Sequence, residues 1–97
     1  MIGGLHKHEF NDRTSVNDRH RHNYRGITSV SPDYPRHTHY MSGETSFEDG
    51  HTHKYYIETG PAIKRRGGHI HYYYGYTTRD DGHVHYMRGY TSVDDIY

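Results

Sequence analysis

The sequence predicts an all-β protein on three observations. Histidines recur as His-x-His pairs, the residues that follow each pair are marked at even spacings only, and acidic-Gly or Pro-containing joins separate the segments. A period of two is the strand period, whereas a helix would throw successive members of each pair to opposite sides of its axis. The pairs are His6/His8, His20/His22, His37/His39, His51/His53, His69/His71 and His83/His85, and no histidine lies outside them. Their first members are spaced 14, 17, 14, 18 and 14 residues apart, which defines three tandem two-stranded repeats, at about 5–32, 36–63 and 68–97, within one domain covering 1–97.

Taken in order, each half-repeat justifies one strand. Four residues after the first histidine stands a large side chain: Phe10, Tyr24, Met41, Tyr55, Tyr73 and Met87. Six residues after it stands glycine in Gly26, Gly43, Gly75 and Gly89, with Asp12 and Ile57 as exceptions. Eight residues after it stands threonine: Thr14, Thr28, Thr45, Thr59, Thr77 and Thr91. Pair, large residue, glycine and threonine therefore share one strand face, and the segments read as strands of about nine residues. Glu48-Asp49-Gly50 and Asp80-Asp81-Gly82 precede histidine pairs and suit a type I turn with a G1 bulge, so 37–59 and 69–91 read as hairpins. The joins at 31–35 and 60–68 carry prolines unsuited to a central strand and are expected to pass between hairpins or sheets. The expected architecture is antiparallel hairpins in a small sandwich or meander. The rival is a short parallel β-solenoid, which would stack His6, His37 and His69 at strand spacing.

Composition says how such a chain must be held. Leu, Ile, Val and Phe supply 13 of the 97 residues, fewer than a conventional core requires, and there is no cysteine to form disulfides. That leaves metal or assembly. Twelve Lys and Arg balance twelve Asp and Glu, which removes the basic stripe expected of a nucleic-acid binder. Arg19-His20-Arg21-His22 and Lys64-Arg65-Arg66 are short clusters that read as solvated charge. No membrane span or signal peptide is visible, and the compartment stays open between the cytoplasm and a mature extracellular form.

Residues Gly68-His69-Ile70-His71-Tyr72 through Asp81-Gly82-His83-Val84-His85-Tyr86 resemble the YmaF family of small bacterial proteins. The likeness runs from about Val16 to Ser92 and departs in the first half-repeat, where Asp12 replaces glycine. It implies a histidine-rich repeat domain and brings no activity with it.

The chemistry therefore rests on the histidines. Two imidazoles at i and i+2 on a strand can lean onto one metal ion, and six such pairs make all twelve histidines candidate ligands. Within a hairpin the two pairs lie at opposite ends, so a four-histidine site must take its second pair from another hairpin, a facing sheet or another chain. Glu9, Asp12 and Asp33 are candidate oxygen donors, but no carboxylate is expected in phase with the repeat. Nitrogen-rich coordination points to copper or zinc, with nickel third, and away from Ca²⁺ and Mg²⁺. The threonine hydroxyl reads equally as a strand former and as a partner for a histidine ring. The large position reads as core, with Met41 and Met87 as a second reading in which they bind copper.

The expected function is a non-enzymatic metal-binding repeat protein. Six similar pairs offer no singular acid, base or nucleophile. Two alternatives are a metalloenzyme, either copper oxidase or zinc hydrolase, with one open site, and a pH-responsive structural protein. The outward face of the last two strands carries Ile70, Tyr72, Tyr74, Tyr76, Val84, Tyr86 and Tyr90, expected to lie under another sheet or against a partner. With chain ends expected as strands paired to a neighbour, this face predicts a homo-oligomer and, further, a filament.

Overall fold

The computed structural model describes residues 3–17 and 19–96, all of them strand, turn or irregular. In chain order the strands are β1 (Gly3–Lys7), β2 (Glu9–Arg13), β3 (Asn23–Ile27), β4 (Ser31–Asp33), β5 (Tyr40–Glu44), β6 (Lys54–Glu58), β7 (Ala62–Arg65), β8 (Gly68–Tyr76), β9 (Tyr86–Tyr90) and β10 (Asp95–Ile96). Every pairing among them is antiparallel, as the hairpin reading requires and the solenoid does not. The three hairpins are β2–β3, β5–β6 and β8–β9. No helix is long and apolar enough to cross a membrane.

The ladders are shorter than expected because each hairpin is interrupted by a bulge. In β5–β6 the ladder runs from Tyr40↔Glu58 to Glu44↔Lys54 and continues with Thr45 N–H donating to His53 O at 2.8 Å. The next bridge is Glu48↔His51, so Ser46 and Phe47 oppose Thr52 alone. The same two-against-one count recurs before Asn17↔His20 and Asp80↔His83. The turns that follow are also tighter than expected. Asp49 and Gly50 have φ of 51° and 85°, and Asp81 and Gly82 have 53° and 82°. Two-residue loops with both φ positive are type I′, whose twist matches that of the flanking strands, so the type I turn with a G1 bulge is corrected.

The residue after each threonine laces the hairpins into a three-sided rod of 48 × 19 × 17 Å. At one end the N–H groups of Ser29, Gly60 and Ser92 donate to the carbonyls of Tyr40, Tyr72 and Glu9, joining first hairpin to second, second to third and third to first. At the other end Ser46, Thr78 and Ser15 donate to Asn23, Lys54 and Tyr86, closing the ring in the opposite sense. The joins add strands of their own: β4, carrying Pro32, lies at the edge of a β10-β1-β4 sheet, and β7 extends β8. The terminal strands β1 and β10 thus pair with each other within the chain.

The core fills the middle of the rod. Phe10, Tyr24, Met41, Tyr55, Tyr73 and Met87 are all buried, joined by Ile57. Pairing explains the glycine rule, because the large residue of one strand faces the position six after the pair on its partner: Phe10↔Gly26, Gly43↔Tyr55 and Tyr73↔Gly89. A Cβ on Gly26 would stand 2.7 Å from the Phe10 ring. Ile57 is tolerated because its partner is Met41 and Gly75 makes room for it on the next hairpin. The opposite face is left to solvent: Tyr72, Tyr74, Tyr76, Tyr86 and Tyr90 are exposed, as are Tyr40 and Tyr56.

Candidate metal centres

Each end of the rod gathers one histidine pair from every hairpin. His6, His8, His37, His39, His69 and His71 form one group, and His20, His22, His51, His53, His83 and His85 form the other. The two pairs of any one hairpin stay apart, and both groups are complete within a single chain. In each group the six candidate ligand atoms lie within 4.8 Å of one another, so both could hold a metal ion.

The arrangement is octahedral. In the first group the Nε2 atoms of His6, His37 and His69 form a triangle with sides of 2.9, 3.1 and 3.1 Å. His39, His71 and His8 supply a second triangle, their Nε2 atoms 3.1, 3.2 and 3.1 Å from His6, His37 and His69. Each ring stands against every other ring of its group except one, at centroid separations of 4.6–5.2 Å. The excepted partners are His6 and His71, His8 and His37, and His39 and His69, which are the opposite vertices. The second group has the same connectivity, with His20 opposite His53, His22 opposite His83, and His51 opposite His85. An octahedron with edges of about 3 Å has its centre about 2.1 Å from each vertex, an ordinary metal–imidazole distance.

Hydrogen bonds fix the rings in the state such a centre needs. The Nδ1–H groups of His8, His39 and His71 donate to the carbonyls of Ser92, Ser29 and Gly60 at 2.8–2.9 Å. Those of His22, His53 and His85 donate to Ser46, Thr78 and Ser15 at 2.7–2.9 Å. Each acceptor belongs to a neighbouring hairpin and is the residue whose N–H laces the rod. With the proton on Nδ1, the Nε2 lone pair is left pointing into the cage. The buried Nε2 atoms of His22 and His85 have no hydrogen-bond partner. Burial lowers His8, His39 and His85 to about 4 and His71 to about 3, and lowers His22 as well.

The threonine hydroxyl has a backbone role. Oγ1 of Thr28, Thr59 and Thr91 accepts from the N–H of His8, His39 and His71 at 3.0–3.1 Å, and Thr14, Thr45 and Thr77 do the same for His22, His53 and His85 at 3.0 Å. Each hydroxyl donates in turn to the carbonyl of the following residue, such as Ser29 or Ser92.

Two signals in the sequence were missed. The residue after the threonine is Ser15, Ser29, Ser46, Thr78 or Ser92 in every half-repeat but that of Gly60, and it carries the lacing N–H. Carboxylates do recur in phase, contrary to expectation: Asp49 and Asp81 stand two residues before His51 and His83. They approach other hairpins' rings, Asp49 lying 3.4 Å from Nδ1 of His20 and Asp81 3.5 Å from that of His51. Asp94 likewise lies 3.4 Å from Nδ1 of His69. They face the rings' outer nitrogens, so they orient histidines rather than join the cages. Glu9 and Asp12 are not in either cage, and the side chain of Asp33 lies outside the described residues. Met41 and Met87 are fully buried in the core.

One family matches the chain, over residues 3–93: YmaF, described as spore germination protein GerY/YamF. No curated protein and no solved structure matches.

Proposed function

The chain belongs to the YmaF family, and on that footing we propose that it is a non-enzymatic protein carrying two transition-metal centres, each held by six imidazoles. The observation that carries this reading is the octahedral disposition of the Nε2 atoms at both ends of the rod. Six neutral lone pairs converging on one point repel one another without a cation between them. A divalent first-row ion at the centre satisfies them together, including the buried nitrogens of His22 and His85.

A six-histidine shell leaves no vertex for water or substrate, which supports a structural or storage role over the copper-oxidase and zinc-hydrolase alternatives, since both need an open position. The metals staple three hairpins whose shared core is seven residues. Structural zinc in small domains is worth about 10–16 kcal/mol, enough to make such a fold depend on its ions. The family is described as a spore germination protein, and in that setting we read the chain as a metal-clamped scaffold. Self-association no longer needs shared coordination, but the exposed tyrosines still support it. Light scattering at micromolar concentration tests it, and a clean 11.5 kDa monomer removes both oligomer and filament.

Elemental analysis of untagged protein tests the main reading. Two metals per chain are expected, falling to one in the His51→Ala, His53→Ala variant. Protein that folds fully without metal and takes none up overturns it.

A further inference from the structure

Resting on the two-cage reading, we propose that both cages select a divalent ion that accepts six nitrogens in a regular octahedron, namely iron(II), cobalt(II) or nickel(II), over zinc(II) and copper(II). Sequence alone ranks copper first, because affinity for a nitrogen site in general peaks there. Geometry argues the other way.

Six of the Nε2 separations in the first cage are 2.9–3.2 Å, and all six ligand atoms lie within 4.8 Å of one another, so no ring is withdrawn far from the rest. Structural zinc takes four ligands. A four-coordinate zinc here would abandon two imidazoles in each cage, and in the first cage, where five of the six rings are buried, at least one of them would be a buried acceptor without a partner. The abandoned rings have nowhere to turn. Each second-member ring is tied through Nδ1 to a carbonyl of another hairpin, and its backbone N–H is tied to a threonine hydroxyl.

Copper(II) prefers a tetragonal shell with one axis stretched. Every axis of both cages joins two different hairpins: His6 to His71, His8 to His37 and His39 to His69 in the first, with the second following the same rule. Stretching any of them pushes two hairpins apart against the cyclic lacing of Ser29, Gly60 and Ser92, or of Ser15, Ser46 and Thr78. The fold thus resists the one distortion copper favours. Hard ions are turned away by the donors themselves, since among the described residues both cages are made of imidazole nitrogens.

Cobalt(II) is the probe, because its absorption reports its coordination. Chelator-treated protein is loaded with two equivalents of cobalt(II), and zinc(II) is then titrated against it with native mass spectrometry reading the occupancy. A weak pink octahedral spectrum is expected, with cobalt still filling most of the sites after an equal amount of zinc has been added. An intense blue tetrahedral spectrum, or zinc displacing most of the cobalt at that ratio, overturns the selectivity while leaving two metal centres standing. Failure to take up either ion overturns the two-cage reading itself.

Discussion

At the scale of single residues, the repeat is a set of partners for backbone groups that the bulges would otherwise strand. Thr28 shows the logic: its buried hydroxyl accepts the His8 N–H at 3.1 Å, beside the point where Ser29 and Val30 oppose Lys7 alone. Thr28→Val keeps the shape and removes the acceptor, so a loss of about 1–3 kcal/mol in denaturant unfolding is expected, with Thr28→Ser close to wild type. Two glycines separate space from backbone conformation. A Cβ at Gly89 would meet the Tyr73 hydroxyl at 2.9 Å and Asp12 at 3.0 Å, so Gly89→Ala should cost about 1–3 kcal/mol through overpacking. At Gly50 nothing lies within 4 Å, but φ is +85°. Gly50→Ala should cost about 1–2 kcal/mol through that angle alone, leaving metal content unchanged. Equal metal loss in both variants would contradict this separation.

At the scale of elements, each hairpin is a strut with one histidine pair at each end. Pairs of substitutions therefore behave according to end and not according to hairpin. His22→Ala with His53→Ala removes ligands from one cage though it touches two hairpins. His39→Ala with His53→Ala touches a single hairpin and damages both cages. Metal counting should give about one ion per chain for the first variant and less than one for the second; equal counts would refute the assignment of ligands to ends. Much of this was legible in the sequence. The even spacing of His6, His8, Phe10 and Thr14 fixes their common face, and the Asp-Gly turns fix which segments pair. What was not legible is how the hairpins meet. Three hairpins around an axis and two facing sheets bury the same face, and the choice lies in single lacing bonds such as Ser46 to Asn23, whose recurring Ser or Thr does not say which hairpin it meets. The strand lengths were overestimated for a related reason: a bulge at Ser46-Phe47 breaks a ladder without breaking the residue pattern.

For the whole molecule, pH and metal act through the same nitrogens. In metal-free protein, burial lowers His8, His39 and His85 to about 4 and His71 to about 3, against about 6.5 in an unfolded chain. Between those values the unfolded chain binds more protons. The stability present above about pH 6.5 is therefore lost progressively as pH falls towards about 4. Thermal melts of metal-free protein from neutral to acid pH should decline through that window, and a flat profile would contradict it. Bound metal competes with protons for Nε2, so loaded protein should melt well above the metal-free form at neutral pH. Chelation that moves the melting temperature by only a few degrees would show that the apolar core suffices.

The closed ring of three hairpins has a consequence for how many repeats the chain can carry. In an open stack the repeat number is free, since each unit answers only to its neighbours. On the two-cage reading it would instead be set by valence. A metal that accepts six donors, supplied two at a time, would be satisfied by three repeats, and a fourth hairpin would find no vertex to fill. A chain with one repeat deleted would still bring two pairs to each end, but any ion held there would then stand open to water. Such a truncation would not make a smaller version of the same protein; on the same reading it would turn two closed clamps into two Lewis acids.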